Sequence, residues 1–314
     1  MTTRRTAHRV LATVAASLTL AGVAGVAPAQ AAQTTNSDPG FLVVYDNNIE
    51  NMLPTSCAGN DNDFEKLFTY IKAQPKSPDL FTVQQVSNQT KLNALTKRMT
   101  DELLGTYAGV VAIANPNSAN HDDSACTKDH QTNAVIYRTD RFTAGSTIRW
   151  RSDAPEDRTG PCKNLTASTF QDRVENVAVR LTDKVTKKSV NVASIHWPTT
   201  NPWNGPDCAD ENITEARDRT AELGSASLTV LGGDTNATVD KKGWGQKAAG
   251  FGFKDAAAVA CGTSCTPPGT FGSRRIDFVL AKGGQGFTNV TTISQAAAGG
   301  KYSDHLAVRA YVKY

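Results

Sequence analysis

Leu228-Thr-Val-Leu-Gly-Gly-Asp-Thr-Asn236 is the stretch on which the fold turns. Leu228, Val230 and Leu231 suit a buried strand. Gly232 and Gly233 then let the backbone turn sharply and approach another group closely. Asp234 and Asn236 follow two apart, a spacing that on extended backbone sends both side chains to the same side. A carboxylate and a carboxamide leaving a strand end together suit a hard cation beside a phosphate. Asp234 brings charge, and Asn236 can donate to an anionic oxygen. In isolation such a segment is a polar turn, so the chemistry rests on matching parts elsewhere in the chain.

The two ends of the chain differ in kind. Met1 to Ala31 carries a basic leader with Arg4, Arg5 and Arg9, an apolar run from Val10 to Val26, and Ala29-Gln30-Ala31 at its close. This is the pattern of a secretory signal peptide, so the protein is expected to be secreted and extracellular. Residues 32–39 are expected to form a loose N-terminal tail, and 40–314 a single domain. The chain has 33 Lys and Arg against 30 Asp and Glu. The leader holds three of the Arg and no acid, so without it the charges balance. Non-specific nucleic-acid binding through a global basic excess is thereby excluded, though a local basic patch is not. No later segment is apolar enough for stable membrane insertion. The six cysteines, Cys57, Cys126, Cys162, Cys208, Cys261 and Cys265, are an even number in an exported chain, which suggests three disulfides. Cys261 and Cys265 are close enough to pair across a turn. The other four allow three pairings.

Apolar runs and alternation place strands at Phe41–Tyr45, 79–86, 133–137, 147–150, 174–181, 190–195, 276–280 and 306–311. Helical spacing runs through Phe64, Leu67, Phe68 and Ile71, through Leu92, Leu95, Met99 and Leu103, and through Ile213, Ala216, Thr220 and Leu223. Asp61 or Asp63 can cap the first of these helices. Residues 105–132 read as loop. Helices alternate with strands early and strands dominate late, which suits stacked sheets with helices outside.

Polar groups recur where these strands end: Asn48, Gln85, His196, Asp234 with Asn236, Asp277, and Asp304 with His305. The ordered motifs are Asn48-Ile, Pro78-Asp79 followed by Gln84-Gln85-Val86, Ser194-Ile-His196, Gly232-Gly-Asp-Thr-Asn236, Arg275-Ile-Asp277 and Ser303-Asp-His305. Together they resemble the endonuclease/exonuclease/phosphatase superfamily across nearly the whole mature chain. The resemblance implies an α/β four-layer sandwich, two mainly antiparallel sheets packed face to face with helices outside. It also implies a catalytic set of His196, Asp234, Asn236, Asp277 and His305. In it His305 is the base that prepares water, held by Asp277 or Asp304. Asp234 and Asn236 position phosphate and water, and His196 acts as acid or phosphate donor. Asn48, Gln85 and Asp304 would bind a divalent metal, Mg²⁺ foremost with Mn²⁺ or Ca²⁺ as alternatives. Arg173 would touch substrate.

One position departs from the family pattern, which has Gln-Glu where this chain has Gln84-Gln85. The missing carboxylate is the main metal ligand of the family. At an effective dielectric of about 20, a unit charge pair ~4 Å apart is worth roughly 4 kcal/mol before desolvation. Glu50 or Asp46 could replace it. The function expected is that of a secreted, monomeric, metal-dependent phosphodiesterase, with nucleic acid as the leading substrate. A lipid phosphodiesterase is the alternative, with Trp197 and Trp203 in a loop that could touch a membrane surface. A non-catalytic binding protein on the same fold is the other.

Overall fold

Alternation along β1 (Phe41–Asn48) sets the layers. Leu42 and Val44 point into one apolar cluster, Val43 and Tyr45 into another, as successive side chains of a strand must. A strand apolar on both faces belongs inside a stack, covered on each side. A computed structural model of the chain describes residues 33–50, 64–116, 131–152, 169–198 and 208–314.

The first sheet runs, in spatial order, β11 (Gly286–Thr292), β12 (Val308–Lys313), β1, β2 (Leu80–Val86), β4 (Thr132–Arg138) and β3 (Tyr107–Val111). The second runs β5 (Phe142–Arg151), β6 (Glu175–Asp183), β7 (Ser189–His196), β8 (Leu228–Asp234), β10 (Asp277–Lys282) and β9 (Lys254–Asp255). Both sheets are mixed but mainly antiparallel. Among the described residues only β1 with β2, and β7 with β8, pair in parallel.

Three apolar clusters hold four layers together. Leu42, Val44, Leu80 and Val135 of the first sheet meet Val177, Val179, Val192, Val230 and Val279 of the second between the sheets. The outer face of the first sheet is covered by α1 (Phe64–Lys72) and α2 (Gln89–Glu102) through Phe68, Ile71, Leu92 and Met99. The outer face of the second is covered by α3 (Ala209–Glu222) and α4 (Trp244–Gly250) through Ile213, Ala216 and Trp244. This is the expected sandwich. Asn88 caps α2 by accepting from the Lys91 N–H at 2.9 Å, and α5 (Ala256–Cys261) starts on Asp255 in the same way. No helix among the described residues is long and apolar enough to cross a membrane.

Several expectations need correction. Gly232 and Gly233 do not turn: they lie inside β8, fully buried. Close approach is their actual reason, because a Cβ on Gly232 would overlap Thr82 Oγ1 across the sheets and one on Gly233 would overlap the Ile195 carbonyl. The turn comes three residues after Gly233, at Asn236, whose φ is 50°. The stretch from residue 33 to 39 is not a loose tail. Asn36 is wholly buried, its carbonyl accepts from Arg138 and Arg141 at 3.1 and 3.0 Å, and Thr34 bridges to Lys76. Strand β11 mixes apolar with polar residues, whereas β3 is apolar throughout, Tyr107-Ala-Gly-Val-Val111, and corrects the reading of 105–132 as loop. Both are edge strands, paired on one side only, so part of each stays exposed and polar residues are tolerated there. Helices α4 and α5 were missed because each spans under two turns. Residues 1–32, with the leader, and the capping candidates Asp61 and Asp63 lie outside the described residues. So do Trp203, Cys57, Cys126 and Cys162. Cys261 and Cys265 form the expected disulfide, with Cα atoms 5.2 Å apart. Cys208 is disulfide-bonded as well.

Candidate active site

Strand register brings the first three groups together. His196 ends β7 and stands opposite Asp234 in the parallel pair with β8, while Asp277 opens β10 and stands opposite Asp234 in the antiparallel pair. Three neighbouring strands thus end on one row, with Asp234 at its centre. All three residues are about 1 % exposed. His196 Nε2 lies 3.5 Å from Asp234 Oδ2. The same oxygen accepts from Asn48 Nδ2 at 3.1 Å, which ties the end of β1 in one sheet to the end of β8 in the other.

The segment Ser303–His305 closes the corner. Ser303 Oγ donates to the Asn48 carbonyl at 2.7 Å and accepts from the His305 N–H at 3.1 Å. This pins the His305 ring with Nδ1 3.0 Å from both oxygens of Asp277 and Nε2 3.7 Å from Asp234 Oδ2. Asp304 Oδ1 lies 3.8 Å from His305 Nε2. Asp277 rather than Asp304 is therefore the carboxylate that orients the imidazole.

The two histidines carry different charge at neutral pH. Burial alone would pull His305 down, but Asp277 and Asp234 outweigh it and push the imidazole up to about 10. Burial pulls His196 down to about 4 despite Asp234, and the cationic Arg173 and His305 add to the shift. Asp277 is pushed up by burial, with Asp234 adding to the effect and His305 opposing it. At rest His305 holds a proton and His196 does not.

This split has a consequence for stability. An unfolded histidine titrates near about 6.5. His305, raised above that, contributes stability that is complete below about pH 6.5 and is lost as pH rises through about 10. His196 enters the fold neutral. Between about pH 6.5 and 4 the unfolded chain binds a proton that the native protein refuses, so stability falls as pH falls through that window. Urea unfolding in metal-free buffer should show this acid slope, and His196→Gln should flatten it by on the order of 2 kcal/mol. An unchanged slope would assign the acid sensitivity to another group.

The remaining expected residues divide. Asn236 reaches the site by giving its backbone N–H to Asp234 Oδ1 at 2.8 Å, but its side-chain amide donates to the Trp197 carbonyl at 2.8 Å and so also fixes the exit of β7. Arg173 sits in a 3-10 turn, Thr169–Val174, before β6 rather than in the strand. It is close enough to Asp234 for that carboxylate to oppose the lowering of its pKa by burial. Gln85 is half-buried near the end of β2, at a register shift between Val83 and Val86, with φ at 58°. Bulges of this kind are concentrated beside active sites, where they re-aim a side chain. Trp197 is fully buried, edge-on to Trp244 with ring centroids 5.2 Å apart, so it is not a surface for lipid.

Sequence reading missed the supports. Thr270 Oγ1 accepts from the Asp277 N–H at 3.0 Å, and Asn176 Oδ1 accepts from the His196 N–H at 2.7 Å. Phe271 packs on the His305 ring at 4.8 Å between centroids. Thr270 and Phe271 stand a few residues before Asp277, and nothing in their own periodicity marks them. Asn176, two residues into β6, faces His196 only because of strand pairing.

Two groupings could hold a cation. Ligand atoms of Asp234, Asp277 and His305 lie within 4.8 Å of one another. There, however, His305 Nδ1 is already engaged by both oxygens of Asp277. The second grouping is all oxygen: Asn48, Glu50 and Asp304 are joined by hydrogen bonds where the end of β1 faces the Ser303–His305 segment, and Gln85 lies near the adjoining end of β2. Glu50 N–H donates to Asn48 Oδ1 at 3.2 Å and Asp304 N–H donates to Glu50 Oε2 at 3.1 Å. Carboxylate and amide oxygens suit Mg²⁺, Mn²⁺ or Ca²⁺.

No protein-family model and no curated protein matches the sequence. Solved structures do. The catalytic domain of human Nocturnin, with a bound sulfate anion, superposes with a TM-score of 0.64 at 15% identity, over 87% of this chain and 94% of that one. An endonuclease/exonuclease/phosphatase protein from Bacteroides vulgatus gives 0.60 at 13% identity, over 87% and 98%. A mannosyl-6-phosphatase from Bacteroides thetaiotaomicron gives 0.57 at 16%, over 87% and 100%. The chain has the fold of the endonuclease/exonuclease/phosphatase proteins.

Proposed function

We propose that this protein is a secreted, metal-dependent phosphodiesterase whose substrate is nucleic acid. The observation that carries the reading is the placement of two imidazoles of opposite protonation, His196 Nε2 at 3.5 Å and His305 Nε2 at 3.7 Å, on one oxygen of Asp234. Such a pair offers one proton acceptor and one proton donor around a single carboxylate, the complement that phosphodiester hydrolysis needs at its entering and leaving oxygens. The resting protonation runs opposite to the order expected from sequence. For His305 to act as base, it must first release the proton that Asp277 and Asp234 hold on it. Asp234 orients a water, and Arg173 with the His305 imidazolium faces the phosphate charge. A divalent cation held at the corner of Asn48, Glu50 and Asp304 would neutralise the phosphate and polarise its oxygens.

The sulfate in the Nocturnin structure and the phosphatase named among the neighbours are consistent with a tetrahedral anion as ligand of this fold. Burial of Trp197 removes one motive for a lipid surface. The test is a panel of plasmid DNA, RNA, sphingomyelin and a chromogenic phosphodiester, each with Mg²⁺, Mn²⁺ or Ca²⁺ and with chelator. Metal-dependent cleavage of DNA or RNA is expected. Cleavage of sphingomyelin alone would move the protein to the lipid class, and no cleavage of any substrate would favour a binding protein.

A further inference from the structure

We propose that Glu50 supplies the metal carboxylate that position 85 lacks, so that the cation of this site is held by Asn48, Glu50 and Asp304. The inference deepens the metal-dependent reading above and rests on it.

Glu50 leaves β1 two residues after Asn48 and turns back at once, with φ at 45°. A side-chain-bearing residue stays in that left-handed region only where its surroundings determine it. Here they do. Its N–H is held by Asn48 Oδ1 and its carboxylate accepts from the Asp304 backbone, while Ser303 Oγ clamps the Asn48 carbonyl. The residue is 6 % exposed, so the carboxylate is turned in toward the corner rather than out to solvent.

Location accounts for the substitution. Asn48 and Gln84 are register partners across the parallel pair of β1 and β2, and the next residue of β1, Ile49, gives its N–H to the Gln84 carbonyl at 3.1 Å. Residues 50 and 85 therefore leave adjoining strand ends. Moving a carboxylate from one to the other keeps the negative charge in the same corner while changing the strand that delivers it. With Asp304 it brings two negative charges to a dication, where Gln85 alone would leave one.

Asp46 is not the substitute. It lies on the inter-sheet side of β1, completely buried, with Oδ1 accepting from Thr82 Oγ1 at 2.7 Å and Gln84 Nε2 at 3.0 Å. Those bonds join β1 to β2 behind the site.

The test is a carboxylate swap read by Mn²⁺ binding, using calorimetry or the electron paramagnetic resonance of free Mn²⁺, on the whole secreted chain. Glu50→Gln should weaken Mn²⁺ at least about 10–100-fold, the loss that even outer-shell changes commonly cause. Glutamine keeps an oxygen for the Asp304 N–H, so melting in chelator should match wild type. Glu50→Gln combined with Gln85→Glu should recover most of the affinity. Equal Mn²⁺ affinity in wild type and Glu50→Gln overturns the proposal, and so does a wild type that binds no Mn²⁺. If wild type hydrolyses its substrate in excess chelator, yet Glu50→Gln still loses Mn²⁺, Glu50 stands as a ligand and the metal-dependent reading of the reaction falls instead.

Discussion

His305→Ala and Asp234→Ala are each expected to lose hydrolysis by about 10²–10⁴-fold, the range that positioned acid–base groups supply. The two losses should not multiply in the double variant, because the two side chains meet at one site, His305 Nε2 3.7 Å from Asp234 Oδ2. Asp234 is the hub: Asn48, Asn236, His196 and His305 all reach it within 3.7 Å. Its removal therefore misplaces both imidazoles and frees Asn48 from the opposite sheet. His305→Ala acts more locally. It strips Asp277 of its partner, and a buried carboxyl without a cation takes up a proton rather than staying charged. Both proteins should keep wild-type secondary structure by circular dichroism, since the three apolar clusters are untouched. Single-turnover hydrolysis of the substrate found in the panel is the measurement. Near-normal rates from either folded variant would mean that chemistry happens elsewhere.

Asp79→Ala should be the most destabilising single change, at about 3–5 kcal/mol, and should leave chemistry alone until the protein melts. Asp79 sits just before β2, at the end of that strand away from the site. Its two oxygens accept from Asn36 at 2.6 Å, the Val43 N–H at 2.8 Å, Arg138 at 2.9 Å and Arg141 at 3.1 Å. Arg141 continues to Asp183, which also accepts from the Tyr314 hydroxyl at 2.8 Å. Asp79, Arg141 and Asp183 are fully buried. Deleting Asp79 would leave two guanidinium groups without their shared counter-charge in the interior, and would release residues 33–39 and the end of β12 together. A drop in Tm of roughly 10 °C follows for a domain of this size. The check is a thermal melt alongside an activity assay at 20 °C. A melt within a degree of wild type would show that Arg138 and Arg141 find other partners.

Much of the fold could be read from local pattern because burial on two faces leaves a mark in sequence. Phe41–Tyr45 is apolar at every position, which only a strand sandwiched between two layers needs. Helical spacing at Phe64, Leu67, Phe68 and Ile71 marked one covering face in the same way. The order of polar strand ends marked Asn48, His196, Asp234, Asp277 and His305, which the fold brings to one corner, since each motif is short and sits on one strand. Local pattern could not reveal pairing. That Asn176 faces His196, that Thr270 steadies Asp277, and that Gly232 needs its missing Cβ because of Thr82 are facts of register between strands far apart in the chain. Charge belongs with pairing. The sequence names two histidines alike, and only their burial beside Asp277, Asp234 and Arg173 makes one a cation and leaves the other neutral. Position 85 follows the same rule. That Gln85 stands where the resembling proteins have Glu is visible in the sequence, but only the pairing of the β1 and β2 ends puts Glu50 beside Asp304, where hydrogen bonds fold it inward.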